Sequence, residues 1–94
     1  MIGRWFTIRA CVRDLSQRLA REYGLRWPYT REEVDAVLRA WDMRLAVPAY
    51  AYAIYCTRGE FERLETRVRS GRDYDEYRRD VERQYPRLDG LEPA

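Results

Sequence analysis

Apolar residues recur through the first segment at steps of three and four: Trp5, Ile8, Val12, Leu15, Leu19 and Tyr23. At about 100° per residue they form a stripe roughly 80° wide, which predicts an amphipathic helix. Ile2, Phe6 and Ala20 widen that face on one side. Gly24 supplies the permissive residue expected just past a helix end, and the short connection Trp27-Pro28-Tyr29 follows. Thr30-Arg31-Glu32-Glu33 then has the capping-box spacing, with Tyr29 and Val34 at the two staple positions. Val34, Val37, Leu38 and Trp41 make the predicted buried stripe of this second helix.

Between Leu45 and Cys56 no residue is charged. The alternation Tyr50-Ala51-Tyr52-Ala53-Ile54-Tyr55 has the period of a strand, and Tyr favours strands. Three alanines and Pro48 at a helix start favour the helix instead. No other segment offers a partner strand, so the stretch is read as a helix. A helix apolar all round belongs at the centre of the packing. Thr57-Arg58-Gly59-Glu60 repeats the capping-box spacing, and Phe61, Leu64 and Val68 continue as a fourth helix that Gly71 ends. Asp73-Tyr74-Asp75-Glu76 starts a fifth, which carries Tyr74, Tyr77, Val81 and Tyr85 on one face until Pro86 stops it. The expected fold is all-α: a compact single-domain bundle of about five short helices around the central uncharged helix. That domain covers residues 1–86, and 87–94 are expected to form a flexible tail.

Composition narrows the chemistry. Ninety-four residues suffice for one core, and 46% hydrophobic with 36% charged residues suits a soluble globular protein. No apolar run is long enough to span a membrane, and Arg4, Arg9 and Arg13 break the pattern of a signal peptide. All 18 basic residues are Arg; Lys, His and Asn are absent. This removes the commonest general base and metal ligand, together with any Schiff-base lysine. The bias points to a GC-rich bacterial gene, and a cytoplasmic location is expected. The first 29 residues hold six Arg against two acids, whereas 30–56 and 57–94 each carry one excess acid. The net charge of +2 is thus a basic first helix on a nearly neutral body.

Most residues that could carry chemistry have a structural role that accounts for them. Ser16 and Ser70 have no histidine to activate them, and Cys11 and Cys56 lie among apolar neighbours that favour an inert thiol. Glu32, Glu33 and Asp35 stand where a helix's first turn wants acids, as do Asp73, Asp75 and Glu76, whose calcium-loop pattern is broken by Tyr77 and Arg78. The reading is therefore a non-enzymatic protein with no catalytic residue, no metal site and no cofactor. Arg4, Arg9, Arg13, Arg18 and Arg21 are the candidate polyanion contacts, spread over the polar part of the first helix. A helix-turn-helix over 30–57 is rejected, because its second helix carries neither charge nor amide to read a base edge. Among the 13 aromatics, Trp5, Trp41 and Phe61 are assigned to the core, and Tyr50, Tyr52, Tyr74 and Tyr77 to a protein interface.

Glu22-Tyr23-Gly24, Tyr29-Thr30 followed by Val34 and Leu38, Tyr52-Ala53 running into Cys56-Thr57-Arg58, Phe61, and Asp73-Tyr74-Asp75 together carry a resemblance. Over about Leu19 to Tyr85 the chain resembles a family of small gammaproteobacterial proteins formed by a domain of unknown function. The resemblance implies a short, soluble, helical protein, sometimes carried on mobile integron gene cassettes, and transfers no activity or site residue. The functional expectation is a protein–protein interaction module whose partner is an unidentified protein or a second copy. The alternative is a nucleic-acid-binding accessory protein using the basic first helix. No integral membrane association is expected, and attachment to an anionic membrane through Trp5 and Phe6 competes with burial of that helix face. If Trp41 is core, Trp41→Ala should cost about 3–5 kcal/mol in a urea melt.

Overall fold

The computed structural model describes residues 2–86, without the side chains of residues 2 and 4. The Arg4 contact, the packing of Ile2 and the expected tail over 87–94 lie outside the described residues. The described chain is all-helical: α1 Ile2–Ala10, a π-helical turn Cys11–Leu15, α2 Ser16–Tyr23, α3 Arg31–Ala40, α4 Ala49–Tyr55, α5 Arg58–Glu62, α6 Thr66–Arg69 and α7 Tyr74–Gln84. Backbone angles remain right-handed helical through Ala10 and Ser16, so α1, the π-turn and α2 form one rod. Gly24 ends it at φ 87°, its N–H donating to the Ala20 carbonyl at 2.8 Å.

The π-turn changes which side chains that rod buries. It absorbs one extra residue, turning α1 relative to α2 by about one residue's step, roughly 100°. Leu15 and Leu19 remain buried as expected, but upstream the buried residues are Thr7, Ile8 and Cys11. Trp5 is left at the rim and Phe6, about 160° from Ile8 on the helical wheel, faces away from the core. Their exposures of 44% and 53% correct the expectation that Trp5 is core.

Every residue of α4 is buried, packed by α7, α3, α5, α1 and the π-turn. A buried helix must satisfy its own last carbonyls, and each has a partner here. The Tyr52 carbonyl accepts from Cys56 N–H at 3.0 Å and the Tyr55 carbonyl from Tyr29 N–H at 2.7 Å. Arg78 donates to the Ala53 and Ile54 carbonyls at 3.1 and 3.2 Å, and Trp27 Nε1 donates to Ile54 at 2.9 Å. The connection between α2 and α3, which contains a cis Trp27–Pro28 bond, is thereby fastened to the end of α4.

Side-chain caps form at Thr30, Thr57 and Asp73, as their spacing predicts, whereas Pro48 stands one residue ahead of α4. Thr30 Oγ1 accepts from Glu33 N–H at 3.1 Å while Glu33 Oε1 accepts from Thr30 N–H at 2.8 Å. Asp73 and Glu76 make the same reciprocal pair. Thr57 caps α5 from its side chain, but the Glu60 carboxylate turns instead to the Arg31 N–H at 2.8 Å, tying α5 to the start of α3. The fourth helix is corrected: the chain breaks at Arg63 and Glu65 into α5 and α6, with Phe61 and Leu64 buried and Val68 only partly so.

Trp41 is the second core correction. The Asp42 N–H donates to the Arg39 carbonyl and the Met43 N–H to that of Leu38, with Asp42 left-handed at φ 49°. This Schellman closure ends α3 at Ala40. Trp41 stays on the surface, 41% exposed, with the Arg18 guanidinium 4.8 Å from its ring centroid. Trp41→Ala is therefore expected to cost about 1 kcal/mol or less, against about 3–5 kcal/mol for Phe61→Ala and about 1 kcal/mol for Thr30→Ala. Urea melts of the three variants check the ranking; a Trp41 cost rivalling that of Phe61 would return the indole to the core.

Candidate functional site

The four tyrosines assigned to an interface line the interior instead. Tyr50 and Tyr77 are fully buried, and Tyr52 and Tyr74 nearly so. A tyrosine can be buried when its hydroxyl finds a partner, and three of these do so on other elements. Tyr50 Oη donates to Asp80 Oδ2 at 2.6 Å. Tyr52 Oη donates to Asp35 Oδ1, and Tyr77 Oη donates to the Arg69 carbonyl at 2.5 Å. Tyr74 packs edge-on against Phe61, and the Arg58 guanidinium lies 4.6 Å from its ring centroid. Tyr55 adds a further bond, donating to the Cys11 carbonyl in the π-turn at 2.7 Å.

Asp80 is the acceptor at the centre of a network that joins α4 to α7. Its Oδ2 takes Arg72 Nη2 at 2.8 Å as well as the Tyr50 hydroxyl, and its Oδ1 lies 3.5 Å from Arg83 Nη1. Arg72 also stacks at 4.7 Å over Tyr77, which meets Tyr50 edge-on at 4.8 Å. Sequence reasoning missed this cluster. Its signal was an acid at Asp80 between Tyr77 and Val81 on the buried stripe of α7.

These environments hold the interior groups in their neutral forms. Burial first, and then the hydrogen bond to Asp80, pushes the Tyr50 hydroxyl up to about 12. Burial likewise raises Tyr52, with the bond to Asp35 adding to it, and raises Tyr55. Cys11 is pushed up to about 12 by burial, and Cys56 to about 12 by burial and then by Glu60. A protonated, buried thiol is a poor nucleophile. Among the described residues no group of three His, Cys, Asp or Glu side chains could hold a metal ion.

The outward-facing chemistry is different in kind. Trp5 and Phe6 meet edge-on at 4.9 Å, and Arg9 lies 5.4 Å from the Trp5 ring centroid. Phe6, Arg9, Ala10, Arg13 and Asp14 line an open depression of about 270 Å³ along the rod. A second concavity of about 350 Å³, lined by Ala46, Val47, Pro48, Arg67, Val68 and Ser70, offers few polar groups, and Arg67 there is paired with Glu65 at 3.1 Å. Of the candidate polyanion contacts, Arg9 and Arg18 each lie over an indole. Arg13 and Arg21 are exposed, so the four described arginines form no single cluster.

A model of a family of unknown function, DUF6559, matches residues 4–87. No curated protein and no solved structure matches the chain.

Two predictions follow from the interior network. Tyr50→Phe leaves Asp80 paired with Arg72 and should cost about 1 kcal/mol. Asp80→Ala removes the acceptor of the Tyr50 hydroxyl and leaves Arg72 with Glu76 as its carboxylate partner, and should cost more, about 2–3 kcal/mol. Equal costs in chemical denaturation would show that the two donors are not held by the same carboxylate. The pH dependence has a definite sign. The unfolded thiols ionise near their ordinary 9.0 and the unfolded Tyr50 hydroxyl near 10.0, while the folded groups keep their protons to about 12. Stability should therefore be fully present below pH 9 and fall as pH rises from there toward 12. Melts of Cys11→Ala/Cys56→Ala should show the onset of that fall moved up toward the tyrosine range.

Proposed function

The chain belongs to the DUF6559 family of unknown function, and we propose that it acts as a non-enzymatic protein–protein interaction module whose contact is centred on Trp41 and Arg18. The partner is a second copy or another protein. One observation carries the reading: an indole left on the surface beside a permanently charged guanidinium 4.8 Å from its ring centroid. Trp and Arg concentrate in the energetically dominant centres of interfaces: the indole buries a large area with two torsions to freeze, and the planar guanidinium stacks and presents a pre-organised fork of donors. The interior tyrosines are set aside for this role because all four rings are buried and the hydroxyls of Tyr50, Tyr52 and Tyr77 are bonded within the fold.

The bacterial and cytoplasmic setting, the gammaproteobacterial origin and the carriage on integron cassettes belong to the same proposal. Their support is the arginine-only basic composition and the resemblance described above. A nucleic-acid role for the basic helix is the weaker reading. Single-stranded nucleic acids stack on open ring faces, whereas Trp5 and Trp41 each carry an arginine over the ring.

The test is a photo-crosslinker, benzoylphenylalanine, placed at position 41 and, as a control, at the exposed Glu62. Illumination in the purified protein and in host cells should give a discrete adduct from position 41 that Arg18→Ala weakens. A yield at position 41 no greater than at 62, in both settings, would remove the proposed contact.

A further inference from the structure

We propose that the outer flank of α1 seats reversibly on an anionic lipid surface. Trp5 and Phe6 enter the headgroup region, and Arg9 and Arg13 contact the lipid phosphates. This uses a different part of the surface from the Trp41–Arg18 contact, and the two stand or fall separately.

The objection to such a site was that Trp5 and Phe6 were expected to serve the core. The π-turn removes it, because both rings face solvent, 44% and 53% exposed, on consecutive residues. Phe6 meets Trp5 edge-on and is otherwise turned to solvent. Indoles favour the bilayer interface, where a flat apolar body meets a polar N–H and the wet headgroup layer.

Charge complements the aromatic pair. Arg26, Arg31, Arg58 and Arg72 are each held by a carboxylate. Arg9 and Arg13 make no ion pair among the described residues. They are spaced one turn apart on the flank that carries Phe6. Long guanidinium side chains keep their heads in the phosphate layer while their stems lie along apolar surface. Asp14 is the acid lining the same depression. It sits about 13 Å along the axis from Trp5, at the end that remains in water when the aromatic end inserts.

Shape favours a fluid surface over a shaped one. The residues lining the depression all come from one stretch of helix, α1 and the π-turn, so it is a furrow between neighbouring side chains and not a cleft between elements. A lipid surface needs no complementary knob. No helix of the described residues is long and apolar enough to cross a membrane, so the contact is peripheral.

Co-sedimentation of the full chain with vesicles tests the proposal. The probes are vesicles of phosphatidylcholine and phosphatidylglycerol in equal parts, vesicles of phosphatidylcholine alone, and oligothymidylate. The native protein should sediment with the anionic vesicles, much less with the neutral ones, and be released by salt. Arg9→Gln and Arg13→Gln should each weaken partition about fivefold. Trp5→Ala/Phe6→Ala should weaken it roughly tenfold or more. All four side chains are exposed, so thermal melts of the variants should match the native one; Phe6→Ala alone serves if the double variant does not fold. Absence of vesicle binding, undiminished binding by the aromatic variant, or tight binding of oligothymidylate that anionic vesicles do not displace would each overturn the proposal.

Discussion

A helix buried on every side, α4, sets the terms for the rest of the molecule. Its seven residues have no solvent to which a backbone carbonyl or a tyrosine hydroxyl can turn. An unmade hydrogen bond there costs about 1–3 kcal/mol, whereas a made one adds about 1 kcal/mol net. The surroundings are therefore selected less by the gain from each bond than by the penalty for missing it. Arg78 and Asp80 on α7, Asp35 on α3, the Cys11 carbonyl of the π-turn, and Trp27 and Tyr29 of the α2–α3 connection are the groups that meet the demand. α3, α7, the π-turn and the α2–α3 connection are thus tied to α4 by directional bonds.

The π-turn belongs to the same economy of polar groups. A π-turn opens the regular ladder of helical bonds, and here the carbonyls of Cys11, Val12 and Arg13 all accept from side chains. Tyr55 reaches the first, and Ser16 the other two at 2.6 and 3.2 Å. Its rotation of α1 also brings Thr7 inward. The Thr7 hydroxyl donates to the Gly3 carbonyl at 2.7 Å and accepts from Val47 N–H at 3.3 Å, just before α4 begins. One irregular turn therefore holds the C-terminal tyrosine of α4, helps position the approach to its start, and sends Trp5 and Phe6 outward.

What could be read from the residues was local. Cap spacings identified the starts of α3, α5 and α7 because a cap is chemistry within four residues. The uncharged run identified α4 because burial on all faces leaves no polar stripe. The π-turn was illegible, since Trp5, Ile8, Val12 and Leu15 fit an uninterrupted α period and nothing nearby marks the extra residue. The fates of the tyrosines were illegible for another reason. Whether Tyr50 and Tyr52 can be buried depends on acceptors 30 and 17 positions away, and Asp35 and Asp80 look like ordinary surface acids until the helices are packed. Trp41 failed at a boundary: α3 closes one residue before the position that would carry the indole inward.

The replacement of every lysine by arginine has structural consequences whatever its genomic origin. Arg78 spans two carbonyls of α4 while lying 5.7 Å from the Tyr74 ring centroid, and Arg72 joins Asp80 while stacked on Tyr77. A planar fork performs both tasks at once; an ammonium, a compact and strongly hydrated point charge, does not. The same planarity explains Arg9 over Trp5 and Arg18 over Trp41, where stacking covers part of a ring without neutralising the charge. Inside, the guanidinium is matched by Asp80 or by carbonyls. On the first rod Arg9 and Arg18 lie over rings, so the guanidinium covers an indole while its charge stays unneutralised.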